Sequence, residues 1–579
     1  MDGTVMLARV RDVTVRLTVG QALVRWLQAQ YSERDGERRR AIPALWAIFG
    51  HGNALGLGGA LPQDGLPLYT PRHEQAMVHA AIGYAKAARR TQALACTASI
   101  GPGAANLLTG AATATVNRLP VLLLPADTFA TRRSGVVLQE LEPPGDVTVN
   151  DAFRPLSRFF DRVARPEQLL SALPAALRVL LDPAETGAVT VALHQDVLGE
   201  AYDWPAEFFE PRTWIISRRP PAAEELDAAA ELLRAAERPL IIAGGGIRYS
   251  EAEQALAEFA QATGIPVAET SAGKGVAGHH SLGGIGVNGA RRANQAAAQA
   301  DVVIAAGTRL TDFTTASLSL FANARILGIN VCAADARKLA ATPLVADARL
   351  ALEALRPRVK PRVVKMTAAD PPAPRGDGFT RAQVYATVNA AARAGDWVVA
   401  AAGWAPGDLL KLWTVPPGGH AHLEFGFSCM GHELPAALGI RMHEGPDPEI
   451  HVIIGDGSFL MAPAELATAV QHNLRATIIV LDNGGYGSIG ALAGDTSAGN
   501  RFTVPTDFAA LATAFGCTGV RAANAGELAR ALAEARDSDS TTLIHCPTVD
   551  GEIPASGAFW DLGVPEPRRQ RAPRQRRVV

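Results

Sequence analysis

The stretch IHVIIGDGSFLMAPAELATAVQHNLRATIIVLDNGGYG, residues 450–487, decides the fold. A largely β-branched apolar run, Ile450–Ile454, stops at Gly455-Asp456-Gly457. A helix is expected from Pro463 to His472. A second apolar run, Thr477–Leu481, then stops at Asp482-Asn483-Gly484-Gly485. This is a strand–turn–helix–strand unit with polar residues at the carboxyl ends of both strands. In open α/β sheets that edge is where ligands bind.

The polar residues at the two strand ends form an oxygen set. Asp456 offers a carboxylate, Asn483 an amide oxygen and Gly485 a bare carbonyl, which suit a Mg²⁺ ion carrying a diphosphate. Gly455 and Gly457 let the backbone approach phosphates, with Ser458 a further cofactor contact, and the following helix turns its N–H groups toward negative charge. Two glycine turns, with Asp456 and Asn483 27 residues apart, are more specific than one glycine motif. The competing reading is a pair of ordinary strand-end turns. GDG followed by a downstream asparagine turn resembles the thiamin-diphosphate signature, which implies that Asp456, Asn483 and the Gly485 carbonyl hold the metal.

The rest of the chain frames this unit. Of 579 residues, 48% are apolar and 19% charged, which is enough for several cored domains. A net charge of −2 gives no general attraction to nucleic acid or to an anionic membrane, and no apolar run reaches bilayer length. Five scattered cysteines without metal spacing, and no signal-peptide core, point to the cytoplasm. Alternating strand and helix patterns mark three blocks, residues 1–204, 224–357 and 379–563, with proline-bearing stretches at 205–222 and 360–378. The expected fold class is α/β, with three doubly wound parallel-sheet domains. The arginine-rich tail 564–579 reads as disordered, with partner binding as the other reading.

In the first block, Ala44–Gly50 reads as a buried strand leading into His51-Gly52-Asn53. Glu74 stands where a strand ends and a helix begins, a place where an acid commonly serves the helix dipole. The surrounding PRHEQAMVHAAIGYAKA (71–87) and CTASIGPGAANLLTGAATATVNRLPVLLLPAD (96–127) resemble the pyrimidine-binding domain of acetolactate-synthase-like thiamin enzymes. The resemblance implies that Glu74 hydrogen-bonds the aminopyrimidine N1′, so that the cofactor can remove its own C2 proton. The turn at Gly101 reads both as a tight strand–helix connection and as an active-site wall that could meet substrate.

Longer strings are more discriminating. LDPAETGAVTVALHQDVLGEAYDWP (181–205), ETSAGKG (269–275), HLEFGFSCMGHELPAALG (422–439) and FWDLGVPE (559–566) resemble the trihydroxycyclohexanedione hydrolase family, ring-opening enzymes of myo-inositol breakdown. The likeness covers most of the chain. It implies a thiamin-diphosphate- and Mg²⁺-dependent C–C hydrolase that takes 3D-(3,5/4)-trihydroxycyclohexane-1,2-dione to 5-deoxyglucuronate and needs no FAD. It also implies a homodimer or homotetramer with active sites between subunits. Ser428 is then the carbonyl acceptor for the cofactor's amino group, and Met430 the wedge between its rings, with plain core filling as the alternative. His51 is a candidate proton donor or water activator and Asn53 a candidate substrate-orienting residue, with loop fixing as the alternative for both.

Two other functions stay open: a carboligase or decarboxylase of 2-oxo acids, like acetolactate synthase, and a cofactor-binding scaffold with weak turnover. Gly244-Gly245-Gly246 reads as structural rather than as a dinucleotide fingerprint, and His279-His280 as a surface loop. Cys429 reads as buried and inert. The chain departs from the family pattern at Gly484 and Tyr486, in a short segment at 494–505, and at His73 beside Glu74.

Overall fold

The computed structural model describes residues 13–61, 65–132, 137–142, 147–365, 373–493, 499–549 and 551–563. The tail 564–579 and part of the short segment, residues 494–498, lie outside them. Two compact units emerge, Met1–Ile216 and Ser217–Val579.

The first unit is built on a parallel sheet in which Leu68–Tyr69, Leu45–Ile48, Leu94–Ala98, Val121–Leu123, Ala188–His194 and Ala126–Asp127 lie in that order. Phe159–Val163 also pairs with Ala188–His194. Ala188–His194 is buried throughout, so its alternate residues serve two faces. Val189, Val191 and Leu193 join the core formed with helices Val19–Gln28 and Leu169–Leu180. Helices Glu74–Ala87 and Leu108–Asn117 pack against the same sheet and each other. Two small sheets were not anticipated: Thr14–Thr18 with Ala201–Pro205, and Arg212–Ile215 with Gln30–Arg34 and Glu37–Arg40.

The second unit holds two six-stranded parallel sheets. The central one runs Ser281–Gly284, Val267–Glu269, Pro239–Ala243, Val302–Ala306, Arg325–Ile329, Thr342–Leu344. Ile241, Ala243, Val302 and Ile304 face one core, and Leu240, Ile242, Val303 and Ala305 face another, the mark of a sheet covered on both sides. The last sheet runs His420–Leu423, Trp397–Ala400, Ile450–Gly455, Thr477–Asp482, Thr542–Pro547, Thr518–Arg521.

The three expected blocks thus meet three large sheets but two compact units. Contacts between the central and last sheets account for this. Lys274 Nζ donates to the Leu410 carbonyl at 3.2 Å, Arg248 bonds His420, and Phe313 packs on Phe425 and Trp560 at 4.9 and 4.8 Å. Prolines in a connecting stretch do not prevent the blocks on either side of it from packing together.

Candidate active site

In the last sheet, the strand after Trp397–Ala400 is laid on one side of it and Ile450–Gly455 on the other. Chain connections therefore diverge between these two strands, which opens a crevice at their carboxyl ends. A cavity of about 210 Å³ lies there. Ala402, Gly403 and Trp404 line it from one strand end, Gly455 to Ser458 from the other, and Asn483 and Gly485 to Ile489 from the next. Ser428 and Met430 also line it. The structure thus gathers all eight site residues expected from this half: Ser428, Met430, Gly455, Asp456, Gly457, Ser458, Asn483 and Gly485.

Asp456 is 2% exposed and opens a single helical turn, Asp456–Phe459, that the sequence reading did not foresee. Its Oδ1 accepts from Gly457 N at 2.9 Å and its Oδ2 from Gly485 N at 2.7 Å, so one carboxylate ties the two glycine turns together. Burial pushes this carboxyl up to about 6, against the two N–H donors, and the nearby Asp482 adds to the rise. Asp482 itself is held below the usual range, chiefly by His545 Nε2 at 2.8 Å. A buried carboxylate beside a second acid is a place where a cation removes a penalty.

The strongest sign is Asn483. Its Oδ1 is buried and has no hydrogen-bond partner among the described residues, although the residue lines the cavity. Leaving such an oxygen unmatched costs about 1–3 kcal/mol. Among the described residues no three His, Cys, Asp or Glu side chains gather as a metal site. A single carboxylate completed by an amide, a carbonyl and phosphate oxygens is therefore the donor set this edge can offer, and it fits Mg²⁺.

The glycines have separate duties. At Gly455 an added Cβ would meet nothing within 4 Å, whereas at Gly457 it would lie 2.6 Å from Tyr486 Cε1. Gly485, at φ +145°, faces the Asn500 carbonyl across the bridge to Arg501, where a Cβ would lie 2.1 Å away. Residues 499–502 therefore brace the Gly484–Tyr486 turn, and Tyr486 packs edge-on against Phe502 at 5.2 Å.

In Met1–Ile216 the corresponding divergence falls between Leu45–Ile48 and Leu94–Ala98. His51 is exposed on the loop after the first of these strands. Asn53 is 1% exposed, with Oδ1 accepting from Gly50 N at 3.0 Å and Nδ2 donating to Thr97 Oγ1 at 3.2 Å, so its amide fixes the loop. Gly101, at φ +68°, is the tight-turn residue, since a Cβ there would lie 1.7 Å from the Gln139 carbonyl oxygen. Glu74 opens helix Glu74–Ala87, and its Oε2 accepts from Asn106 Nδ2 at 2.9 Å. His73 caps that helix, its Nδ1 accepting from Gln75 N at 3.1 Å, which is what a smaller amide at this position would do.

Comparison with known proteins agrees with this geometry. Three family descriptions match the chain: thiamine pyrophosphate enzyme, N-terminal TPP binding domain, at residues 47–146; central domain at 226–355; and C-terminal TPP binding domain at 401–546. The 3D-(3,5/4)-trihydroxycyclohexane-1,2-dione hydrolase of Geobacillus thermodenitrificans is 41% identical, covering 96% of each chain. The protein of the same name from Halalkalibacterium halodurans is 40% identical with the same coverage, as is a second such hydrolase from Bacillus cereus. The chain belongs to the 3D-(3,5/4)-trihydroxycyclohexane-1,2-dione hydrolase family. Members are thiamine pyrophosphate enzymes, and the three matched segments span the two units described above.

Within this family member, two buried acids escaped the sequence reading. Glu424 is 1% exposed and accepts from Phe427 N at 2.7 Å and Cys429 N at 3.1 Å. This clamps the turn at Ser428, whose φ of +56° is costly for a residue with a Cβ. Glu433, fully buried, accepts from Ser458 Oγ at 3.0 Å and from Ala402 N at 3.3 Å, and Ser458 Oγ accepts from Gly431 N. Burial pushes the Glu433 carboxyl up to about 7. Cys429 proves half-buried rather than buried. Among the described residues no helix is long and apolar enough to cross a membrane.

Proposed function

We propose that this chain is a hydrolase that opens 3D-(3,5/4)-trihydroxycyclohexane-1,2-dione with thiamin diphosphate and Mg²⁺. The overall reaction adds water across the bond between the two carbonyls, giving the aldehyde acid 5-deoxyglucuronate. The observation that carries this reading is the unpartnered Asn483 Oδ1 in the cavity beside Asp456, in a chain about 40% identical to named hydrolases over almost its whole length. When bound, thiamin diphosphate supplies a nucleophilic carbon and an electron sink for the bond that breaks.

The chain's own residues do the rest. Asp456, Asn483 and the Gly485 carbonyl hold Mg²⁺, and Gly455, Gly457 and Ser458 present backbone to the diphosphate. Asn106 fixes Glu74 through Oε2, which leaves Oε1 to hold a proton at the aminopyrimidine. The strained Ser428 turn, clamped by Glu424, aims a carbonyl, and Met430 fills the space beside it. His51, exposed and with no side-chain hydrogen bond among the described residues, is the proton donor or water activator. Asn53 and Gly101 shape the loops around it.

Glu74 and Asp456 serve one cofactor from two copies of the chain, in a homodimer or homotetramer. Exposed apolar residues next to both half-sites support this: Leu55 beside Asn53, Phe427 beside Ser428, and Met461 beside the Asp456 turn. Five cysteines free of disulfides suit a cytoplasmic setting.

The test is incubation with thiamin diphosphate, Mg²⁺ and either the cyclic dione or pyruvate. Loss of the dione with one aldehyde acid formed is expected. CO₂ release from pyruvate without dione consumption would instead make the chain a carboligase, and cofactor binding without either reaction would make it a scaffold.

A further inference from the structure

A diphosphate with one Mg²⁺ keeps net negative charge, and the Asp456 carboxylate adds to it. Confining that charge in a small cavity calls for a counter-charge on the wall. Among the described residues lining the cavity, Arg381 is the one basic side chain.

Its setting is specific. Arg381 opens helix Arg381–Ala391, which Thr380 caps through Gln383. Its Nε donates to Asp408 Oδ2 at 2.8 Å, and Tyr385 Oη donates to the same oxygen at 3.2 Å. Asp408 is 3% exposed, while the Arg381 side chain retains 16% exposure. Lys411 also lies near Asp408, so two basic side chains share this one carboxylate. With Nε used, the two terminal nitrogens of Arg381 have no hydrogen-bond partner among the described residues.

Trp404 shows which end of the cavity the guanidinium serves. The Arg381 guanidinium stacks on the Trp404 ring at 4.5 Å. The Trp404 Nε1 lies 3.4 Å from where a Cβ on Gly487 would stand, and Asn483 Nδ2 lies 2.5 Å from the same point. The indole therefore lies beside the Asn483 turn, which the cofactor reading makes the metal end of the cavity. Trp404 Nε1 has no hydrogen-bond partner among the described residues either. A buried acid orienting an arginine by its Nε, with the planar fork left open and stacked on an aromatic ring, is an arrangement suited to a phosphate.

We propose that Arg381, aimed by Asp408 and stacked on Trp404, clamps the terminal phosphate of the cofactor, with the Trp404 indole N–H as a second donor. The clamp makes the chain selective for thiamin diphosphate over thiamin monophosphate. This rests on the cofactor reading above and adds to it a residue far in sequence from the Asp456–Asn483 motif.

The experiment is calorimetric titration of wild type, Arg381→Gln and Arg381→Lys with thiamin diphosphate, thiamin monophosphate and inorganic pyrophosphate, each with Mg²⁺. In Arg381→Gln the affinities for thiamin diphosphate and pyrophosphate should fall by about 10- to 100-fold, as expected for loss of charge-assisted hydrogen bonds. Thiamin monophosphate binding should change by less than about threefold, within the reach of an ordinary surface change. Arg381→Lys should lie between, since the charge stays but the fork is lost. Should Arg381→Gln fail to fold, the lysine variant decides: a diphosphate-to-monophosphate ratio equal to wild type overturns the clamp. Wild type that binds no thiamin diphosphate would sink the cofactor reading itself. Wild-type binding with the ratio unchanged in both variants sinks only this proposal.

Discussion

The two six-stranded sheets of Ser217–Val579 reverse their strand order in the same manner, yet one keeps a crevice at the reversal and the other closes it. In the central sheet the reversal falls between Pro239–Ala243 and Val302–Ala306. There Gly244, Gly246 and Gly307 bring backbone onto backbone: a Cβ on Gly246 would lie 2.5 Å from Gly307 Cα, and one on Gly307 would lie 2.7 Å from Gly246 Cα. In the last sheet the corresponding glycine, Gly455, faces open space, and the cavity with Asp456 and Asn483 begins. A glycine run after a strand therefore means opposite things in the two sheets. What distinguishes them is whether the next strand end brings a second glycine or an acid and an amide.

The comparison breaks most visibly at Asn483. Replacing it by leucine keeps the volume and removes the orphan oxygen, and turnover with Mg²⁺ should fall by about a thousandfold, roughly 4 kcal/mol. Steady-state rates across a Mg²⁺ series check this; a near-normal rate would mean that the amide does not serve the metal.

Next comes a matched pair of glycine substitutions. Gly307→Ala puts a Cβ into backbone at φ +63° and should destabilise the chain by about 2–4 kcal/mol. Gly455→Ala should cost less than about 1 kcal/mol of stability, because its Cβ enters open space, yet weaken thiamin diphosphate about tenfold or more. Denaturant melts and cofactor titrations of both variants read the difference. The central claim about the crevice fails if the two behave alike.

Much of this comparison could be read from the sequence alone. The runs Pro239–Ala243, Arg325–Ile329 and Ile450–Ile454 are strands because β-branched and apolar residues crowd into short segments bounded by glycine or polar residues. Asp456, Asn483 and Gly485 stood out because their motif is local. Glu424, Glu433, Arg381 and Trp404 did not: Arg381 and Trp404 line a cavity that distant segments assemble, and the two acids bond turns beside it. For Asn53 and Gly101 the sequence left loop fixing open beside a substrate role, and the structure adds two loop hydrogen bonds for Asn53 and a tight positive-φ turn for Gly101.

Glu433 sharpens what holds the crevice in shape. Its carboxyl titrates near 7 when folded, above the ordinary 4.5, so the native state keeps a proton that the unfolded chain has lost. Its contribution is full below about pH 4.5, and about 3 kcal/mol is lost as pH rises through 7. Glu433→Gln should flatten that part of the profile, measured by urea unfolding at pH 5 and pH 8. The smallest effect belongs to the first sheet, where His73→Ala removes a helix cap beside Glu74 and should cost about 1 kcal/mol.

The most direct measurement is binding of thiamin diphosphate to wild type and to Asp456→Ala, with Mg²⁺ and with the metal chelated. One saturable site per chain is expected for wild type, dependent on Mg²⁺ and lost in the variant. Equal, metal-independent affinity in both proteins would contradict the placement of the diphosphate at this strand edge.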